Sequence, residues 1–160
     1  MGDLNVAVWV NNTVAAVLAS SPDATKRAVS GAMQYKVDLM MAWNVQATTD
    51  FEEWLGSLDD KRRNAVIAAI TFLGEQGPTL FRPFVERIHT STIDKLKELR
   101  PRGAANDCRI LFAFDLTQSA ILLITGDKTN KPEKEWYKTA IPKAEALYAE
   151  HCDSLPKDKQ

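Results

Sequence analysis

Residues 96–137 read LKELRPRGAANDCRILFAFDLTQSAILLITGDKTNKPEKEWY. Three apolar runs, Leu96 to Leu99, Ile110 to Phe114 and Ala120 to Thr125, are separated by turn-forming residues. Pro101, Gly103 and Asn106 lie in the first gap; Asp115, Gln118 and Ser119 lie in the second. Short runs rich in Ile, Leu, Phe and Thr, bounded in this way, predict consecutive strands of an antiparallel meander. Side chains alternate along a strand. Ile110, Phe112 and Phe114 therefore share one face, and Arg109, Leu111 and Ala113 share the other. Arg100 ends the first strand, Arg109 starts the second, Lys128 follows the third and Tyr137 opens the segment beyond. Four groups able to handle a phosphate thus fall near the strand ends of one small sheet.

The chain upstream of this sheet predicts what packs on it. Trp43 to Ala47 alternates as a strand. Thr48, Thr49 or Asp50 then caps a helix whose apolar face is Phe51, Trp54 and Leu55, with Glu52 and Glu53 at its positive end. Gly56 and Ser57 weaken that helix, and Leu58-Asp59-Asp60 starts a second with the stripe Val66, Ile67, Ile70 and Leu73. Gly77-Pro78 stops it. Thr79 to Ser91 has little regular period and predicts a loop crossing the sheet edge. A last helix is expected from near Pro132 to about Cys152, with Trp136, Ala140, Ala144, Leu147 and Tyr148 as its stripe and Pro142 as a bend or break. The expected fold is α+β: a small antiparallel sheet carrying two N-terminal helices and a C-terminal helix.

Residues 42–152 form the expected domain, and 153–160 a polar, frayed tail. Residues 1–41 are expected to be either an extension that starts upstream of the domain, from a start codon assigned too early, or an accessory helix over Ala24 to Met41. Val6 to Ser20 is apolar but lacks a basic flank and is interrupted by Asn11 and Asn12, so it reads as neither a signal core nor a membrane span.

Net charge is −1, which hides a local asymmetry. Asp50 to Asp60 holds five acids and no base, whereas Arg82 to Arg109 holds seven bases against four acids. Lys128, Lys131, Lys134, Lys138 and Lys143 follow in the next segment, against Glu133 and Glu135. An RNA-facing surface is compatible with this pattern, as is an ordinary solvated one. Cys108 and Cys152 make no disulfide framework, which points to a reducing cytosol. His89, expected in a loop, and His151, expected at the surface, make no clustered zinc set.

Five motifs occur in order: Phe51-x-x-Trp54-Leu55, Gly77-Pro78-x-Leu80-x-Arg82-Pro83, Lys97-Glu98-Leu99-Arg100, Arg109-Ile-Leu-Phe-Ala-Phe114 and Gly126-Asp127-Lys128-Thr129. Together they resemble the phage Gp49-like, HigB-type branch of the RelE/ParE toxin superfamily, over about Trp43 to Cys152. The resemblance is narrowest to mycobacterial and actinobacterial members. It implies a toxin of a type II toxin–antitoxin module that cuts mRNA at the ribosome. It also implies a HigA-like helix-turn-helix antitoxin as partner, with operator DNA bound only through that antitoxin. No cofactor, metal or membrane is implied. A ParE-like inhibitor of DNA gyrase, or a degenerate toxin that only binds its antitoxin, is the competing expectation, because fold alone does not separate them.

RNA supplies its own nucleophile, the 2′-hydroxyl, so cleavage needs in-line positioning, charge stabilisation and proton transfer. The resemblance matches Arg109 to the family's strand arginine. Arg100 or Lys97 matches the basic position on the preceding strand, Lys128 the basic residue after the next, and Tyr137 a C-terminal tyrosine. Arg109, Arg100, Lys128 and Tyr137 are therefore the expected catalytic set, with Lys97, Arg102 and Lys131 as RNA-binding residues. Each has a structural competitor: Arg100 as a partner of Asp127 or a loop carbonyl, Lys128 as part of a turn, Tyr137 as a packing residue beside Trp136. Arg109 is expected to point away from Ile110, Phe112 and Phe114, so that its loss should abolish activity with little loss of fold.

Overall fold

Thr48 Oγ1 accepts the amide of Phe51 at 3.3 Å and Asp59 Oδ1 accepts the amide of Arg62 at 3.0 Å. These two caps satisfy otherwise orphaned helix N–H groups and start α1 (Thr49–Ser57) and α2 (Asp60–Gln76) where the sequence predicts them. The structure, a computed structural model, describes residues 43–129 and 132–159. The expectations for residues 1–41 and for Lys131 lie outside the described residues.

The predicted meander forms as β3 (Leu96–Leu99), β4 (Cys108–Phe114) and β5 (Ser119–Asp127). Two more strands extend it. β1 (Asn44–Ala47) pairs parallel to β5, placing Val45 against Ala120, and β2 (Val85–Arg87) pairs antiparallel to β3. The order is β1-β5-β4-β3-β2. The segment expected to be a loop therefore contributes an edge strand, because the Lys97-Glu98-Leu99 edge offers three residues of backbone for Val85-Glu86-Arg87 to pair with.

Alternation along β4 is as predicted and divides the core. Ile110 and Phe112 pack with Phe51, Leu55, Val66, Ile70 and Leu73 under α1 and α2. Leu111 and Ala113 pack with Ile121, Leu123, Ala140, Ala144 and Tyr148 under α3 (Glu133–Ser154). The α3 stripe is as expected with Ile141 added, and the helix runs unbroken through Pro142 to Ser154, two residues past the expected end. A register shift between Leu111 and Phe112 resets the alternation of β5. Gly126 is thereby brought opposite Arg109 on the α3 side. A Cβ on Gly126 would lie 2.2 Å from the Trp136 ring, so only glycine lets α3 sit this close. Gly77 ends α2 at φ 53°, with the Trp43 ring 2.2 Å from where its Cβ would be.

Candidate functional site

In β3 the same alternation sends Leu96 toward α3 and Lys97 and Leu99 toward the other face. Glu98 falls on the α3 side and is fully buried. A buried carboxylate is costly unless it is paired and hydrogen-bonded. Here it has three partners. Arg100 Nε donates to Oε1 at 2.7 Å, Arg109 Nε lies 3.4 Å from the same oxygen, and the Tyr137 hydroxyl donates to Oε2. Arg100 also pairs with Glu86 of β2, which Arg82 contacts as well. Three of the four expected catalytic residues thus meet at one acid to which the sequence reading gave no role of its own. The sequence carries only part of this: Leu96, Glu98 and Arg100 alternate onto one face, but the contacts of Glu98 with Arg109 and Tyr137 are made between elements.

Arg109 has a side chain only 11% exposed. Its Nη1 donates to the carbonyls of Asn106 at 2.7 Å and Cys108 at 2.6 Å. It points away from Ile110 and Phe112, as expected, but those bonds give it a structural role too. The expectation that it is dispensable for the fold is revised on that ground. Lys128 is more open and pairs with Glu133 at 2.7 Å. Arg109, Lys128 and Tyr137 line one cavity of about 10 Å³ with Trp136 and Gly126, enough for about one water. Lys97 is not part of this group. Its Nζ sits 5.5 Å from the Phe114 ring centre on the opposite face. Arg102 is exposed in the β3–β4 connection. Asp127, the suggested partner of Arg100, pairs instead with Arg62 at 3.0 Å, and Arg62 also holds Asp107 at 2.7 Å.

The electrostatics fix protonation states. Burial, and then the hydrogen bond to Glu98, push the Tyr137 hydroxyl well above its ordinary range, so it stays protonated and donates. Burial works to lower Arg100, but the bond to Glu98 and the charges of Glu98 and Glu86 outweigh it and raise it. Lys128 lowers the Glu133 carboxyl through their hydrogen bond. Burial, and then Arg87, lower Lys97.

A second polar cluster lies at the far end of α3. His151, expected at the surface, is 12% exposed, with Nε2 2.8 Å from Asp115 Oδ2. Asp115 also accepts from the amides of Thr117 and Ser119, which closes the β4–β5 turn. His89 lies in an exposed turn, as expected. Among the described residues no helix is long and apolar enough to cross a membrane.

Residues 53–149 match the family described as Phage derived protein Gp49-like. Two proteins of Mycobacterium tuberculosis (strain ATCC 25618 / H37Rv) are similar to the chain. One, named "Putative toxin HigB3", is 45% identical over 94 residues, which is 59% of this chain and 80% of that protein. The other, named "Putative toxin HigB2", is 38% identical over 121 residues, covering 71% of this chain and 60% of that protein.

Proposed function

The chain belongs to the phage-derived Gp49-like family, and on that premise we propose that it is the toxin of a type II toxin–antitoxin module, acting as a ribosome-dependent mRNA endoribonuclease in the cytoplasm. The names of its two mycobacterial relatives support the toxin role. One observation carries the nuclease reading: Arg109, Lys128 and Tyr137 line a single cavity, and Arg100 joins them through Glu98.

In this reading the RNA 2′-hydroxyl gives its proton to water and attacks the adjacent phosphorus in line. A 2′,3′-cyclic phosphate forms as the bond to the 5′-oxygen breaks, and that oxygen takes up a proton from water. Arg109 and Arg100 hold the non-bridging oxygens and stabilise the extra charge of the transition state, for which the guanidinium fork is suited. Glu98 keeps both guanidinium groups in orientation before the phosphate arrives. Lys128, the more exposed cation, supports the departing oxygen. Tyr137 keeps its proton, which it donates to Glu98, and supports the strand through its ring rather than acting as a base. The reaction draws on no metal or other cofactor. The partner is a HigA-like helix-turn-helix antitoxin, which carries any contact with operator DNA.

The test is induction of the full chain in cells without the antitoxin. Growth arrest is expected, with growth restored when the cognate antitoxin is co-expressed. Normal growth at confirmed expression would remove the toxin reading.

A further inference from the structure

The cations of the proposed site are all neutralised by acids of the protein itself: Arg100 by Glu86 and Glu98, Arg109 by Glu98, and Lys128 by Glu133. Beside that site lies a groove with the opposite property. It has a volume of about 620 Å³ and runs between the turn after β2 and the first turns of α3. Arg87 and His89 form one bank, and Lys134 and Lys138 the other, over a floor that includes Tyr137 and Ile141. No acidic side chain lines it. Lys134 and Lys138 are exposed and make no ion pair among the described residues. Arg87 pairs with Asp94 at 3.1 Å, but both are exposed, so that pair is weak. Like charges four apart on a helix repel. An anion laid along the groove would remove that penalty.

We propose that this groove binds the stretch of single-stranded RNA next to the cleaved phosphate. The proposal rests on the nuclease reading and extends it to the path of the substrate. Two features favour RNA as the occupant. Tyr137 lines both the groove and the small cavity, so a strand in the groove lies next to the residues Arg109 and Lys128. Lys134 and Lys138 are one helical turn apart, about 6 Å along the axis, a step that neighbouring phosphates of one strand can span. A basic track beside an aromatic ring on which a base can stack is how single strands are held without sequence readout. One base rests on the Tyr137 ring beside Pro142, and the flanking phosphates reach Lys134 and Lys138.

The experiment uses the full chain and a short fluorescent RNA oligonucleotide carrying 2′-O-methyl groups, which lack the nucleophile, so binding is read apart from cleavage. Anisotropy is measured across a salt series for the wild type and for the Lys134→Gln/Lys138→Gln double variant. Both side chains are exposed, so unfolding temperatures should match. The expected result is at least tenfold weaker binding at low salt. The slope of log affinity on log salt should also fall by about 1.4, from roughly 0.7 per lost phosphate contact on a single strand. Unchanged affinity and slope would overturn the proposal. Unchanged RNA binding with a weakened grip on the antitoxin would overturn it in favour of an acidic protein segment. A wild type that binds the oligonucleotide through these lysines yet leaves cellular mRNA intact would refute the nuclease reading and leave the groove standing.

Discussion

Arg109 Nε lies 3.4 Å from Glu98 Oε1, so the arginine assigned to the scissile phosphate already faces a fully buried carboxylate. That contact joins β3 to β4, and the Tyr137 hydroxyl joins the same carboxylate to α3. One acid therefore holds together the sheet, the helix and the proposed catalytic group. Removing one member of a buried ionic cluster leaves the others desolvated and unpaired, at a cost of about 3–5 kcal/mol. Glu98→Ala should lose that much in urea unfolding. Glu98→Gln, which keeps the shape and an acceptor for Tyr137, should lose less. Equal stability of Glu98→Ala and the wild type would show that the cluster does not hold the fold.

Arg109→Ala should fail in two separable ways. Losing one preorganised contact to the developing charge costs on the order of 3–4 kcal/mol of barrier, a hundredfold or more in rate. Losing the donor to the Asn106 and Cys108 carbonyls and the neighbour of Glu98 should also lower stability. Cleavage must therefore be compared per folded molecule, with circular dichroism and unfolding on the same preparations. A folded Arg109→Ala protein that cuts at the wild-type rate would take Arg109 out of the site.

Gly126→Ala should disturb the α3 docking. The added methyl would meet the Trp136 ring 2.2 Å away, and overpacking of this kind typically costs about 1–3 kcal/mol. Trp136→Ala in the same chain should relieve the clash, so the double variant should be more stable than the sum of the two single losses predicts. Strict additivity would mean that Gly126 and Trp136 do not constrain one another.

Acid should release the tie between α2 and the ends of β4 and β5. Burial works to raise the Asp127 carboxyl, but hydrogen bonds from the Thr129 hydroxyl and amide and from Arg62 outweigh it and hold it at about 2. An unfolded aspartate titrates near about 3.9. A carboxyl lowered on folding stabilises fully above its unfolded value, and that contribution is lost as the pH falls through the folded one. The Asp127 contribution should thus be present above about pH 4 and fade toward about pH 2. Asp127→Asn should be less stable than the wild type at neutral pH, and the two curves should converge over that window. A constant gap would place the effect elsewhere.

The three-strand meander and the caps at Thr48 and Asp59 were legible because each rests on local pattern: alternation at Ile110, Phe112 and Phe114, and a polar residue just before an apolar stripe. β2 was not legible, because three residues carry too little period and its pairing is decided by the β3 edge. The environment of Glu98 was not legible either. Lys97 and Arg100 on either side make it read as part of a charged surface, and its partner Tyr137 lies 39 residues away. His151 was misplaced for the same reason, since its partner Asp115 lies 36 residues earlier in a turn. Arg109 and Lys128 fall at strand ends, as read from the sequence, and Tyr137 in the first turns of α3 lines the same cavity. That each cation would come with its own acid could not, because those contacts are made between elements.

Lys128→Ala gives the most direct test of the central claim, because this cation is the least embedded of the set. Its side chain is 34% exposed and pairs with a half-exposed Glu133, so the substitution should cost at most about 1 kcal/mol of stability. Primer extension on mRNA from cells expressing the wild type or Lys128→Ala at matched levels reads cleavage directly. The account predicts cuts within translated messages for the wild type and at least tenfold fewer for the folded variant. Intact mRNA in cells whose growth the wild type has arrested would contradict it, and would point to a target other than RNA, such as DNA gyrase.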